Sequence, residues 1–167
     1  MLLSNLLLLS SCIPYGYIAV RKNQSCNSND ASDCCTIGNK YPIYKCSPSS
    51  NQGILTLNGF GKGEDGGSEA ECDGKYHSNN EHIVALSTGW YGNGKNCGKN
   101  ITIFLGNAKT TAKIVDECDS TAGCDSEHDH QPPCKNNIID ASAAVWKSLG
   151  VSPNDDIYGY ANVTWKF

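Results

Sequence analysis

Long apolar runs are missing from this chain of 167 residues. No stretch of 18 apolar side chains occurs, so the sequence contains no candidate membrane-spanning helix. Charge is scarce too: charged residues are 18%, and 13 Lys and Arg against 17 Asp and Glu leave a net −4. Nucleic-acid binding needs a clustered basic surface, so that class is set aside. Paired C-x-x-C spacings are absent, which removes the common cysteine-based zinc folds, and no cofactor is expected. There is no fixed-period repeat and no charged low-complexity run. What remains is 39% hydrophobic residues with 17 Gly and 6 Pro. That composition suits one domain with a modest, loop-rich core.

Cysteine is the strongest positive signal. Ten are present: Cys12, Cys26, Cys34, Cys35, Cys46, Cys72, Cys97, Cys118, Cys124 and Cys134. An even, dense set points to disulfides and an oxidising compartment. Five lie in 12–46 and five in 72–134, so full pairing within the chain forces at least one bridge across that boundary. Adjacent Cys34 and Cys35 are too strained to pair with each other and lead to different partners. Spacing alone leaves the connectivity open. Met1 to Ser11 reads as the apolar part of a secretion signal without its positive n-region. Leu9-Ser10-Ser11-Cys12 also resembles a bacterial lipobox, but Cys12 completes the even count. Sequons at Asn23, Asn100 and Asn162 fit a secreted eukaryotic glycoprotein. The expected division is a partial signal at 1–11, a cysteine-rich segment at 12–50 stapled to the rest, and a main domain at 51–167.

The main domain reads as short strands. Candidates are Ile54 to Leu57, His82 to Thr88, Ile101 to Leu105, and Thr111 to Val115 entering an acidic turn. Ala161 to Phe167 alternates, with Ala161, Val163, Trp165 and Phe167 on one face. Glycine clusters at 59–67 and 89–98 separate strands. One helix is expected over 141–149, with Asp140 as N-cap, Gly150 at C′, and Ala141, Ala144, Val145 and Leu149 on its packed face. Many short strands and one short helix indicate a mainly β fold, a small closed barrel.

Several constellations carry chemistry. Asp116, in Val115-Asp116-Glu117-Cys118-Asp119, and Asp140, before the helix, could form the acid/base pair that glycoside cleavage needs. The structural alternative is that Asp140 caps the helix and Asp116 accepts backbone N–H groups. Residues 116–130 hold six acids and two histidines without Lys or Arg. Outside this loop, 11 acids face 13 bases, so the acidity is local. A cation site is one reading, but the EF-hand order of ligands is absent. A solvated, disulfide-braced loop or an acidic face toward a basic partner are the others. Trp90 and Tyr91, in a glycine-rich turn, either stack on a ligand or plug the barrel end. Trp90, Tyr91, Asp119, Asp125, Glu127 and His128 are thus the candidate partner-binding residues. His77 and His82 are isolated, and Ser87 with His82 or His128 lacks a nucleophile elbow.

Taken in order, these pieces resemble the kiwellin family, the ripening-related proteins of plants. The carrying segments include Ser32-Asp33-Cys34-Cys35, Tyr44-Lys45-Cys46-Ser47-Pro48 and Val84 to Tyr91. Val115 to Ser120, Gly123-Cys124-Asp125 and Gln131 to Ile138 continue the match, which runs from Cys12 to Phe167. The resemblance implies a six-stranded double-psi β-barrel, shared with barwin, expansins and rare lipoprotein A-like proteins, with one or two short helices. It implies secretion to the apoplast and a role in plant defence or ripening. Some members bind and inhibit a secreted chorismate mutase of a pathogenic fungus. The expected function is therefore a monomeric, non-enzymatic binder or inhibitor of a secreted pathogen protein. The additional N-terminal cysteine-rich segment of some fruit members, source of a pore-forming peptide, is not matched here.

A more distant resemblance keeps an enzyme alternative. Asn137-Ile138-Ile139-Asp140-Ala141-Ser142 is similar to a motif of rare lipoprotein A-like barrels, some of which are lytic transglycosylases, and Asp116 matches their strand-end aspartate. Two departures count against it. Ile138 stands where expansins have histidine, and Glu117 stands where an arginine follows the aspartate. A cell-wall polysaccharide is accordingly the alternative partner, with Asp116 and Asp140 as its only catalytic candidates.

Overall fold

The computed structural model describes residues 12–22, 26, 34–64 and 66–167. Among the described residues there are two sheets. A small one pairs β1 (Gly16–Ala19) antiparallel with β2 (Lys40–Ile43). The large one contains β3 (Gln52–Leu57), β4 (Ile83–Ser87), β5 (Asn100–Leu105), β6 (Ala108–Cys118), β7 (Ile138–Ala141) and β8 (Tyr160–Lys166). It closes as a barrel in the order β3-β7-β4-β6-β5-β8, which leaves no open edge. The β3–β7 and β4–β6 pairs are parallel, and the other four are antiparallel. Two short helices, α1 (Thr88–Tyr91) and α2 (Ala143–Ser148), complete the regular structure.

Alternation fills the barrel. Leu55, Val84, Leu86, Ile101, Ile103, Ile114 and Ile139 are fully buried in one core with Trp146 of α2. The indole N–H of Trp146 donates to the Thr56 carbonyl at 3.2 Å, so burial costs it no hydrogen bond. The opposite face of β4 contributes Ile83 and Ala85 to a second cluster with Phe60, Ala70 and Val115, under the 58–82 loop. β4 is therefore buried on both faces.

All five strand expectations fall on observed strands, and four details differ. Ile138 to Ala141 is a strand, not the approach to a helix, because it pairs with β3 on one side and β4 on the other. Asp140 consequently sits in β7, and Ser142 takes the N-cap position without a side-chain cap bond. The Ser142 hydroxyl donates instead to the Glu81 carbonyl at 2.6 Å. On α2, Trp146 replaces Ala144 as the deeply buried residue, while Gly150 adopts the left-handed φ of 78° expected just past the helix. The acidic turn is the end of an 11-residue β6. In β8 the alternation holds for Ala161, Val163 and Trp165, but Phe167 lies beyond the strand and is 61% exposed.

Every cysteine is paired. Cys12–Cys46 and Cys26–Cys34 brace the N-terminal segment, while Cys72–Cys97 and Cys118–Cys134 brace the barrel. Cys35–Cys124 is the crossing bridge required by parity, and Cys34 and Cys35 indeed diverge.

Candidate functional site

The two singled-out aspartates meet in one groove by sheet register. Thr56 pairs with Asp140, Asp140 with Ala85, and Ala85 with Asp116. Cross-strand partners share a face, so the two carboxylates flank a single small side chain. Two strand spacings place their Cα atoms roughly 10 Å apart. A bulge sets the aim of Asp116. Ala112 and Ile114 point into the barrel, and strict alternation would send residue 116 after them. The register instead skips Val115, pairing Val84 with Ile114 and Ala85 with Asp116. That extra residue turns Asp116 out to the groove.

Both carboxyl groups are held well above the ordinary range. Burial pushes Asp116 up to about 6, against N–H bonds from Glu71 (2.9 Å) and Glu117 (2.8 Å) to its Oδ1. The nearby charges of Glu71 and Glu117 push the same way. Burial likewise raises Asp140 to about 6; the Thr56 hydroxyl, donating at 2.6 Å, opposes this and the charge of Asp116 adds to it. Glu117 is also raised, first by burial, although Thr88 donates to it at 2.5 Å.

The groove holds about 300 Å³. Asp116 and Asp140 form its floor with Ala85; Glu71 and Glu117 stand on one side; Asp119, Glu127 and Asp129 come from the acidic loop. Among the described residues, no Lys or Arg lines it. Its mouth is fastened by His128, whose Nδ1 lies 2.6 Å from Asp125 and Nε2 3.3 Å from Asp119. Burial alone would lower His128, but the bond and charge of Asp125, then those of Asp119, outweigh it and hold the ring above its ordinary value. The Cys118–Cys134 bridge closes the loop at its base, and Cys35–Cys124 pins its middle to the N-terminal segment. Gly123 is required there, because a Cβ would meet the Pro133 nitrogen at 2.6 Å.

Asp119, Glu127 and His128 thus line the groove, and Asp125 holds His128 from outside it. Trp90 and Tyr91 do not join them. Both are in α1 and buried, at 8% and 7% exposure. The Trp90 ring packs edge-on to Trp165 at 4.9 Å, and its N–H donates to the Pro48 carbonyl at 2.9 Å. Of the two readings open to these aromatics, the structure realises the barrel plug. The 89–98 segment opens on a neighbouring shallow depression that shares only Glu117 with the groove. Ser87 is fully buried, accepting from the Ile138 N–H and donating to the Lys135 carbonyl, both at 2.7 Å. It latches β4 to the segment before β7, while His82 pairs elsewhere with Ser148. Among the described residues no three His, Cys, Asp or Glu side chains converge as metal ligands. Asn100 and Asn162 are exposed on β5 and β8; Asn23 lies outside the described residues.

Glu71 is the groove residue that sequence reasoning missed. It belongs to no strand and no periodic pattern. It arrives because the Cys72 N–H donates to the Val115 carbonyl at 3.0 Å and Cys72 is bonded to Cys97.

The similarity of this chain to known proteins agrees with its barrel. A family model described as Kiwellin-1 matches residues 3–167. A kiwellin of Actinidia chinensis var. chinensis is 54% identical over 132 residues, covering 77% of this chain and 61% of that protein. The ripening-related protein grip22 of Vitis vinifera is 53% identical over 135 residues, 78% of this chain and 60% of its own length. Ripening-related protein 3 of Oryza sativa subsp. japonica is 44% identical over 168 residues, 96% of this chain and 77% of that one. The chain therefore spans about three fifths of the kiwifruit and grapevine relatives. Among solved structures, an expansin of Clavibacter michiganensis superposes with a TM-score of 0.50 at 16% identity, over 70% of this chain and 49% of that one. That likeness concerns the fold, a double-psi β-barrel. The chain belongs to the kiwellin family of ripening-related proteins.

Proposed function

We propose that this protein acts in the apoplast as a non-enzymatic defence protein, a monomer whose acidic groove docks a basic segment of a secreted pathogen protein. The carrying observation is a groove lined, among the described residues, by seven carboxylates and no Lys or Arg, with one disulfide closing its acidic loop and a second pinning the loop's middle. Unlike charges steer encounter and set register more than they add raw affinity. A braced loop loses little entropy when a partner docks. The family and the fully paired cysteines suit an extracellular protein. Asp119, Glu127 and His128, within the 116–130 segment, are the contact residues of this reading, with Gly66 and Gly67 beside them in the groove lining. Trp90 and Tyr91 are buried in the main core and do not line the groove. A secreted fungal chorismate mutase is the family-level candidate partner. The test is a titration of the oxidised protein with such a mutase and with total secreted proteins of plant pathogens. Glu127→Lys and Asp129→Lys are expected to lower affinity about tenfold each, the effect of removing close interfacial charge pairs. Asp116→Asn is expected to bind as the native protein does.

A second reading rests on one specific observation: Asp116 and Asp140 share a groove floor, and both titrate near 6. Near that pH a pair can present one acid and one base, as glycoside cleavage requires. Two features weigh against it. Glu117 sets a third carboxylate beside Asp116 where the resembling enzymes carry an arginine, and its charge pushes the Asp116 carboxyl up rather than down. Ile138, in the place of an expansin histidine, is buried in the barrel wall.

A further inference from the structure

The small sheet carries the opposite sign to the groove. Along β1 and the residues before it, exposure alternates, with Ile13, Tyr15, Tyr17 and Ala19 outward and Gly16 and Ile18 half-buried. Ile13, Tyr15 and Tyr17 are 68%, 50% and 62% exposed, far more than aromatic and aliphatic side chains usually are. The register sets Pro42 opposite Tyr17 and Lys40 opposite Ala19, so Lys40 shares the tyrosine face. At the other end the Lys45 ammonium lies 4.5 Å from the centre of the Tyr15 ring. Arg21 and Lys22 follow β1 directly and are exposed. Among the described residues, none of these four cations is ion-paired. Residues 12–63 contain five bases and only two acids, Asp30 and Asp33, which lie outside the described residues.

We propose that the outer face of the β1–β2 sheet binds an anionic polysaccharide, a linear chain of sugar rings bearing carboxylates. An exposed row of phenol rings offers flat apolar area to the C–H faces of sugars. Lysine and arginine at both ends of the row supply charge-assisted bonds to uronate carboxylates. Four unpaired cations have no role toward a neutral glucan. Strands of four residues are about 13 Å long, a strip too narrow for the roughly 800 Å² per partner of a stable protein interface. A linear polymer needs only such a strip. The Cys12–Cys46 bridge joins the start of the tyrosine row to the end of the segment carrying Lys45, so the strip is preformed. This site is separate from the acidic groove and does not depend on what docks there.

The experiment is calorimetric titration of the full, oxidised chain with an oligogalacturonate, its methyl ester, cellohexaose, and vesicles of mixed phosphatidylcholine and phosphatidylserine. The acid oligomer is expected to bind, and the ester at least about tenfold more weakly. Tyr17→Ser and the double change Lys40→Glu with Lys45→Glu are each expected to cost about tenfold or more. The charge variant reads the site even if Tyr17→Ser perturbs the sheet, and matching thermal melts confirm that each variant is folded. Lys147→Glu, an exposed cation on α2 outside both surfaces, is expected to leave oligogalacturonate binding unchanged. Equal binding of acid and ester, native affinity in the charge variant, or binding to vesicles but not to the oligomer would overturn the proposal.

Discussion

The groove and the small sheet are two charged surfaces built on opposite principles. The groove gathers seven carboxylates on a barrel wall, two of them flanking Ala85 and bonded to backbone or hydroxyl donors. The sheet carries exposed cations beside exposed rings, and its two four-residue strands have no core of their own. In the first, charge is taken from water, so protonation sets its strength. In the second, charge stays in water, so salt screens it. What holds each region differs as well: packing for the barrel, covalent bridges for the sheet.

The sharpest way to break the comparison is to cut the bond between the regions. Replacing Cys35 and Cys124 by alanine removes a bridge that closes 89 residues of sequence. Native disulfides of small secreted domains contribute about 2–5 kcal/mol. The expected outcome is an early melting step for the N-terminal segment, followed by barrel unfolding, resolved by near-ultraviolet circular dichroism. A single cooperative transition at the native temperature would mean that the sheet is held by packing after all.

A smaller effect separates the regions by pH. Asp116 and Asp140 are raised to about 6 in the folded barrel, so folding favours their neutral forms. Their contribution is complete below the unfolded carboxylate range and is lost as pH rises through 6. Thermal stability is expected to fall between pH 4 and pH 7.5. Asp140→Asn keeps an acceptor for Thr56 and is expected to recover on the order of 2 kcal/mol at pH 7.5, about 4–8 °C in Tm, and little at pH 4. Lys40→Glu on the sheet is expected to change Tm equally little at both pH values.

The smallest effect concerns the fastening of the groove. His128 is raised, so its ion pairs with Asp125 and Asp119 stabilise the loop below its ordinary pKa and fade as pH rises through the folded value. All three side chains are partly exposed, so His128→Asn is expected to cost less than about 1 kcal/mol. Melts at pH 5 should show that loss and melts at pH 8 should not.

Much of this architecture was legible in the residues. The barrel strands announced themselves by β-branched runs and alternation, and the odd cysteine sets required the bridge now seen as Cys35–Cys124. Ile138 to Ala141 was hidden because four apolar-rich residues before a helix look alike in a strand and in a helix start; only pairing with β3 and β4 decides. Asp116 and Asp140 could be named but not joined, since their meeting depends on register and on the bulge at Val115. Trp90 and Tyr91 were ambiguous because a glycine-rich flank suits a turn as well as the short helix that buries them. Glu71 had no local pattern, and long-range bonds bring it to the groove.

On the function proposed above, the groove docks a partner and cleaves nothing. The most direct test incubates the oxidised protein near pH 6, where Asp116 and Asp140 titrate, with plant, fungal and bacterial wall polysaccharides, and measures soluble fragments beside Asp116→Asn. No release by either protein is expected. Release by the native chain that disappears in Asp116→Asn, with the fold intact, would contradict it and make the two aspartates catalytic.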